Sequence, residues 1–316
     1  MAITGDERDL HVVKFTNGIA HELQQETSLL SAVVSQEPGV MGKQTYFNRM
    51  AKTAQAAEVT EAFAPRSLNR VSFERRFVTP KTIESVYAIP ELDIIRMAET
   101  PRNDIVRAAS MELGRAIDAN IYASFGASAS REVNGSSSAA SFDSGNNITV
   151  STNTYGFDKS GAALSGDTGL HGGKLKLAKR KLMAAHVDVS RQDVFVVLNS
   201  TQATNLLSRI EQDGATRKDF LSKTPLNVPG LDLALDGYLG MRFVMYEDIA
   251  VDSADDEYVY VLTRDAIKHG TWRPLKGSIH VRTDLQLDPE EIAHNMTIGS
   301  VRMDESQIVR VLCDPT

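Results

Sequence analysis

The chain has 316 residues, enough for a sizeable core and for one large domain or two ordinary ones. Hydrophobic residues make up 42% and charged residues 24%, an ordinary globular composition, and the formal net charge of −7 excludes a chain that coats itself with nucleic acid over its whole surface. The one cysteine, Cys313, excludes a disulfide framework and a zinc site built on cysteine pairs, and fits a reducing compartment.

From Met1 to Arg8 there is neither a basic leader nor an apolar run, so no signal peptide and no membrane span is expected. Between Asp6 and Val34, Leu10, Val13, Ile19, Leu23, Leu29 and Leu30 recur at loosely helical spacing, with Gly18 as a weak point. Gln36-Glu-Pro-Gly39 is expected to stop this arm, which either packs on its own domain or reaches a neighbour.

Thr45–Met50 and Val71–Val78 read as strands joined by a long polar connection that includes the alanine-rich tract 51–64. On the second strand Val71, Phe73 and Arg75 share one face, and Ser72, Glu74 and Arg76 the other. This extended hairpin has too few large apolar residues for a core of its own. A lone two-stranded hairpin is marginal in water, so it is expected to lie against something else, most simply another subunit.

Thr100 suits an N-cap and Pro101 the first turn of a long helix. Ile105, Ala109, Leu113, Ala116, Ile117 and Ile121 form its apolar stripe, and Gly126 is expected to end it. Residues 126–173 are rich in Gly, Ser, Ala and Asn and read as a surface insertion, a hairpin or flap, with a short strand at Ile148–Val150.

Compact patterning then returns. Leu175, Ala178, Leu182 and Ala185 mark a helix, and Val194–Leu198 a buried strand. Asn199 is placed to cap the following helix, with Gln202 at its third position, Leu206, Leu207 and Ile210 on its apolar side, and Gly214 closing it. Tyr238–Tyr246 and Tyr258–Leu262 read as strands around the acidic run Asp252–Glu257, read as a solvated hairpin tip. Ser278–Asp284 and Ser306–Cys313 read as closing strands.

No catalytic, metal or cofactor motif emerges. His21-Glu22 lacks the second histidine of a zinc helix, and His294 beside Glu290 and Glu291 is a common surface pattern. Thr168-Gly-Leu-His-Gly-Gly-Lys174 lacks the first glycine and the hydroxyl of a phosphate loop, so it reads as a flexible loop entering a helix. Asp143-Ser-Gly-Asn-Asn147 lacks the glycine and distal glutamate of a calcium loop and reads as a polar turn. Cys313 has no base to activate it. Of two basic clusters, Lys174, Lys176, Lys179, Arg180 and Lys181 read as a solvated face. The other, Arg66, Arg70, Arg75, Arg76 and Lys81, sits on the coreless hairpin, where its arginines could pair with acids of a neighbour or face DNA phosphates.

The order of these features resembles the major capsid protein of tailed bacteriophages, the Hong-Kong-type phage capsid fold. The resemblance runs through Arg75-Arg-Phe-Val-Thr-Pro-Lys-Thr-Ile-Glu84, Ile89-Pro-Glu-Leu-Asp93, the helix from Arg102 to Gly126, Val194–Ser200, Gly237–Val244 and Ile298–Cys313. It implies an α+β fold with an N-terminal arm (1–42), an extended loop (43–90), a peripheral domain (91–173) with a spine helix (101–125) and the insertion 126–173, an axial domain (174–285), and return strands to the peripheral domain (286–316).

The implied function is a non-enzymatic subunit that self-assembles as pentamers and hexamers into an icosahedral shell around double-stranded DNA. The implied partners are its own copies, a separate scaffolding protein, a portal and the packaged DNA. The implied place is the virion, after assembly in the host cytoplasm, with no membrane and no cofactor. Lys52 lies where some relatives crosslink their subunits, but nothing in the sequence supplies its partner. Arg66, Arg70, Arg75, Arg76, Tyr46 and Phe47 are the expected intersubunit contacts, with the N-terminal arm overlapping a neighbour as well. The rival readings are an encapsulin-like compartment, a soluble enzyme with an undetected site, and a tail-tube subunit.

Overall fold

The computed structural model describes residues 25, 27–50, 58, 71–90, 102–133, 135–156, 163–212 and 238–315. The arm before Gln25, the tract 51–64 except Glu58, the cap at Thr100 and Pro101, and Gly214 lie outside them, as do Lys52, Arg66 and Arg70.

In chain order the strands and helices are β1 (Ser35–Pro38), β2 (Thr45–Met50), β3 (Phe73–Val78), β4 (Lys81–Ile89), α1 (Arg102–Gly126), β5 (Ala129–Val133), β6 (Ser136–Ala140) and β7 (Asn147–Ile148). There follow α2 (Gly172–Ala184), β8 (Val194–Leu198), α3 (Ser200–Gln212), β9 (Met241–Met245), β10 (Glu257–Thr263), β11 (Ile267–Val281), β12 (Glu290–Arg302) and β13 (Ile308–Cys313). Among the described residues three sheets result, ordered β1-β11-β12-β4, β7-β13-β10-β8-β9 and β2-β3-β5-β6.

The continuous apolar run of β8 is explained by cover on both faces. Val194, Val196 and Leu198 meet Leu175 and Leu182 of α2 and Leu206 of α3. Phe195 and Val197 meet Ile121 and Phe125 of α1 together with Leu30, Val33 and Val34. Strand alternation sends neighbours to opposite layers, so a strand between two layers needs no polar position. Each such side chain, fully buried, contributes about 1.5–3 kcal/mol. The expected cap of α3 is present: Asn199 Oδ1 accepts from the Gln202 backbone N–H at 2.9 Å.

Helix α1 joins two sheets. Leu113 packs with Met296 and Ile298 of β12 and with Ile83 of β4, while the C-terminal turns lie on the five-stranded sheet. The expected stripe holds, with Ala109, Leu113 and Ile121 buried. Gly126 does end the helix, but a left-handed turn is not the reason. A Cβ there would stand 2.4 Å from the Tyr260 hydroxyl, so the position needs glycine for the close approach.

Several expectations change. Gln36–Gly39 was expected to act only as a stop, yet β1 pairs in parallel with Lys268–Thr271 of β11, and the turn follows at Gly39 with φ 71°. Strand β4 carries no clear alternation and is not among the expected strands, whereas β12 falls within the expected return strands. They form one long antiparallel pairing, Lys81–Ile89 against Glu290–Ile298. Sheet membership also cuts across the expected boundary at 285/286. Strand β11 lies with β12 and β4, whereas the last strand, β13, pairs with β10 in the five-stranded sheet. Within the 126–173 stretch, β5 and β6 do form a hairpin, and it is stitched to β3 through Arg75 and Arg76.

Candidate assembly surface

The root of the extended hairpin has two unlike faces. Strands β2 and β3 pair antiparallel, Tyr46 opposite Phe77, Phe47 opposite Arg76, Asn48 opposite Arg75 and Met50 opposite Phe73. Period-two alternation therefore separates Phe47, Arg49, Glu74, Arg76 and Val78 from Tyr46, Asn48, Met50, Phe73, Arg75 and Phe77.

The first set faces its own chain. Phe47 and Val78 cluster with Ala129, Val301 and Met303, and Trp272 packs beside them. Here the expectation of a coreless hairpin is corrected at its root: the missing core comes from β5, β12 and the turn after β12. Arg76 is 1% exposed, and both of its contacts to Glu305 measure 3.0 Å. Its Nε also lies 2.8 Å from Glu74 Oε1, off the N–H axis, so that contact is an ion pair without a hydrogen bond. Arg49 reaches Asp304 at 2.7 Å and Glu305 at 3.4 Å. Phe47 and Arg76, expected between subunits, are thus held within one subunit. The reason is alternation: one residue earlier or later each would face outward.

Arg302 completes this buried network. Its guanidinium donates to the carbonyls of Phe125 and Ala127 at 2.9 and 2.6 Å and to that of Ala140 at 3.1 Å. The first two are carbonyls at the end of α1, where a cation is favoured by unpaired C=O groups and the helix dipole. Arg302 also lies 5.2 Å from the centre of the Phe142 ring and 3.5 Å from Glu305. Burial pushes its pKa down from the ordinary 12.5, with Glu305 opposing the shift. One carboxylate, Glu305, therefore ties the hairpin root to the end of the long helix.

The end of the N-terminal arm is fixed in a similar way. Asp118, buried on α1, accepts from Ser28 Oγ at 2.5 Å and from the backbone N–H groups of Leu29 and Leu30 at 2.9 and 3.0 Å. Leu30, Val33 and Val34 then enter the apolar layer beneath β8. The described part of the arm packs on its own chain.

The second face of the hairpin root is open. Tyr46 and Phe77 stack at 5.7 Å, and Phe73 is 66% and Met50 59% exposed. Arg75 is exposed among them and has no ion pair among the described residues. An apolar face of this kind, with an exposed cation on it, is the usual mark of a surface that meets another protein. Of the six residues singled out from sequence, the structure brings Tyr46 and Arg75 together here.

The second basic cluster is not a uniform solvated face. Lys174 is fully buried and donates to the carbonyls of Thr168 at 2.5 Å and Leu312 at 3.0 Å; burial lowers its pKa. Lys179 and Lys181 likewise reach the carbonyls of Leu239 and Gly145. Glu257, at the end of the acidic run, turns inward to accept from Asn199 and Gln202. His294 is buried too, and His171 caps α2 by accepting from the Gly173 N–H at 3.1 Å. Burial pushes the Cys313 thiol up to about 12. Among the described residues no group of three or more His, Cys, Asp or Glu is arranged to hold a metal. Nor is any helix among them long and apolar enough to cross a membrane.

The sequence model of the phage capsid protein family matches residues 8–315. No curated protein matches the chain. Among solved structures, the fold is similar to the capsid protein of cyanophage Pam1, with a TM-score of 0.72 at 11% identity, covering 100% of this chain and 99% of that one. It is similar also to the capsid of Ralstonia phage GP4, with a TM-score of 0.64 at 12% identity over 100% and 99% of the two chains. The capsid of a native GTA particle gives 0.64 at 13% identity over 99% and 98%.

Proposed function

The chain belongs to the phage capsid protein family and is a capsid shell protein, and from that premise we propose that its copies join as pentamers and hexamers into an icosahedral shell around double-stranded DNA. The observation that supports this reading is the divided hairpin root. One face is locked into its own subunit by Arg76, Arg49 and Glu305, and the other is left apolar and open around Arg75. A loop fixed at its base and open on its outer face is suited to reach across a subunit boundary.

In this reading the extended loop (43–90) and the N-terminal arm (1–42) overlap neighbouring copies, and Arg75, with Arg66 and Arg70, pairs with acids there. Helix α1 is the rigid bar that carries the hairpin. The packaged DNA, a portal and a separate scaffolding protein are the remaining partners, and assembly takes place in the host cytoplasm. Catalysis has no part in the mechanism.

Electron microscopy and light scattering of the purified full chain test the proposal. Closed shells of megadalton mass with five- and six-fold clusters are expected. A stable monomer at assembly concentrations, or open tubes, would overturn it.

A further inference from the structure

A second open surface lies beside the C-terminal turns of α1. The C-terminal turns of this helix, the segment 246–250 and strand β10 line an open groove of about 510 Å³. Its base is aromatic: Tyr122, Tyr246 and Tyr260 are each at most 6% exposed, with Tyr122 centred 5.1 Å from Tyr246 and 5.5 Å from Tyr260. The Tyr122 hydroxyl is already satisfied, donating to the Tyr258 carbonyl at 2.8 Å and accepting from the Ala250 N–H at 3.0 Å.

Ala123, exposed, forms part of the rim on the helix side. The rim carries two charges. Arg310 is occupied, stacked 4.7 Å from the Tyr258 ring centre and donating to Asn147 at 2.9 Å. Asp248 is exposed and makes no ion pair among the described residues.

We propose that this groove receives the outer face of the hairpin root of a second copy, with Phe73 entering over the tyrosines and Arg75 meeting Asp248. The inference rests on the assembly reading above and adds the surface on which the hairpin lands. Three observations support it. The two surfaces are complementary in charge: an apolar knob beside the exposed Arg75 faces an apolar groove beside the exposed Asp248. The groove volume lies within the roughly 300–1,000 Å³ typical of clefts that take a drug-sized ligand, room enough for one aromatic side chain. Phe73 is 66% exposed, so it does not fill the groove of its own chain. A patch on one surface fitting a pocket elsewhere on the same molecule is a heterologous contact, the kind that closes rings of identical subunits.

Paired cysteines test it. The native thiol, Cys313, is buried and will not compete. Full-length chain carrying Phe73→Cys and Ala123→Cys, assembled and then mildly oxidised, should run as a ladder of linked subunits on a non-reducing gel, while each single variant stays monomeric. Shells that form without a ladder overturn the inference and leave the assembly reading intact. That result is also the one expected if the groove takes a different protein or a small molecule. Unmodified chain that forms no shells sinks both.

A charge exchange covers the case in which the double-cysteine chain does not assemble. Asp248→Arg alone should lower shell yield at least tenfold. Combining it with Arg75→Glu should restore most of that yield. No restoration, with unmodified chain assembling normally, overturns the contact.

Discussion

In the five-stranded sheet, β8 is apolar at every position and covered on both sides, by α2 and α3 on one and by α1 and Leu30–Val34 on the other. In the hairpin sheet, β3 is covered on one side only, and the covered side holds Arg76 and Glu74 beside Val78. The first region needs nothing beyond its own chain. The second has its position fixed by directional ion pairs and leaves Phe73, Met50 and Tyr46 to solvent. Apolar burial is strong but tolerant of angle. A buried arginine shared among carboxylates and carbonyls fixes a direction, and loss of one partner is costly. A projecting loop needs that fixed direction more than it needs extra stability.

The contrast can be tested from its strongest element downward. Glu305→Ala leaves Arg302 buried without its carboxylate and Arg76 with Glu74 alone, and should cost about 3–5 kcal/mol, read by urea denaturation of the purified chain. A loss below about 1 kcal/mol would mean that the network orients nothing. Leu198→Ala, in the apolar region, should cost about 2–5 kcal/mol through lost burial and a residual cavity, and should leave the hairpin's protection from protease unchanged.

Acid should act on the five-stranded region through His171. Burial, with repulsion from Lys174 and Arg209, pushes this group down to about 4. The unfolded chain therefore binds the extra proton first, and stability should fall as pH drops from about 6.5 towards 4. His171→Asn supplies an oxygen acceptor in place of the capping Nδ1 and should flatten that slope; an unchanged slope would assign it to other groups. Asn199→Ala removes the cap of α3 and should cost about 1 kcal/mol, seen as a small shift in the same denaturation curve. Arg75→Glu should change subunit stability by less than about 0.5 kcal/mol, because its exposed side chain has no ion pair among the described residues, yet should abolish shell formation. A large stability loss, or normal shells, would place Arg75 in the wrong half of the comparison.

The two regions were not equally legible. Patterning alone marked β8, β10, α1, α2 and the cap at Asn199, because each depends on neighbours in sequence: a run, a stripe, a side-chain oxygen three residues ahead. It also separated Phe73 and Arg75 from Glu74 and Arg76 by simple alternation. It did not say which of those two faces turns inward. Arg76 and Glu305 are 229 residues apart, and Asp118 meets Ser28 across 90, so no local spacing announces either pair. Strand β4 was missed for a related reason. Lys81–Ile89 has mixed polarity and becomes a strand through pairing with β12, more than 200 residues on.

By itself, then, the sequence determined the local elements, their order and the fact that the extended hairpin carries too little apolar surface to stand alone. Those properties follow from short-range sterics and the period of the hydrophobic pattern. Only the tertiary structure decided that the hairpin root is closed on one face by a distant carboxylate and open on the other around Arg75. The burial of a charged side chain depends on partners that folding, and not proximity along the chain, brings within reach.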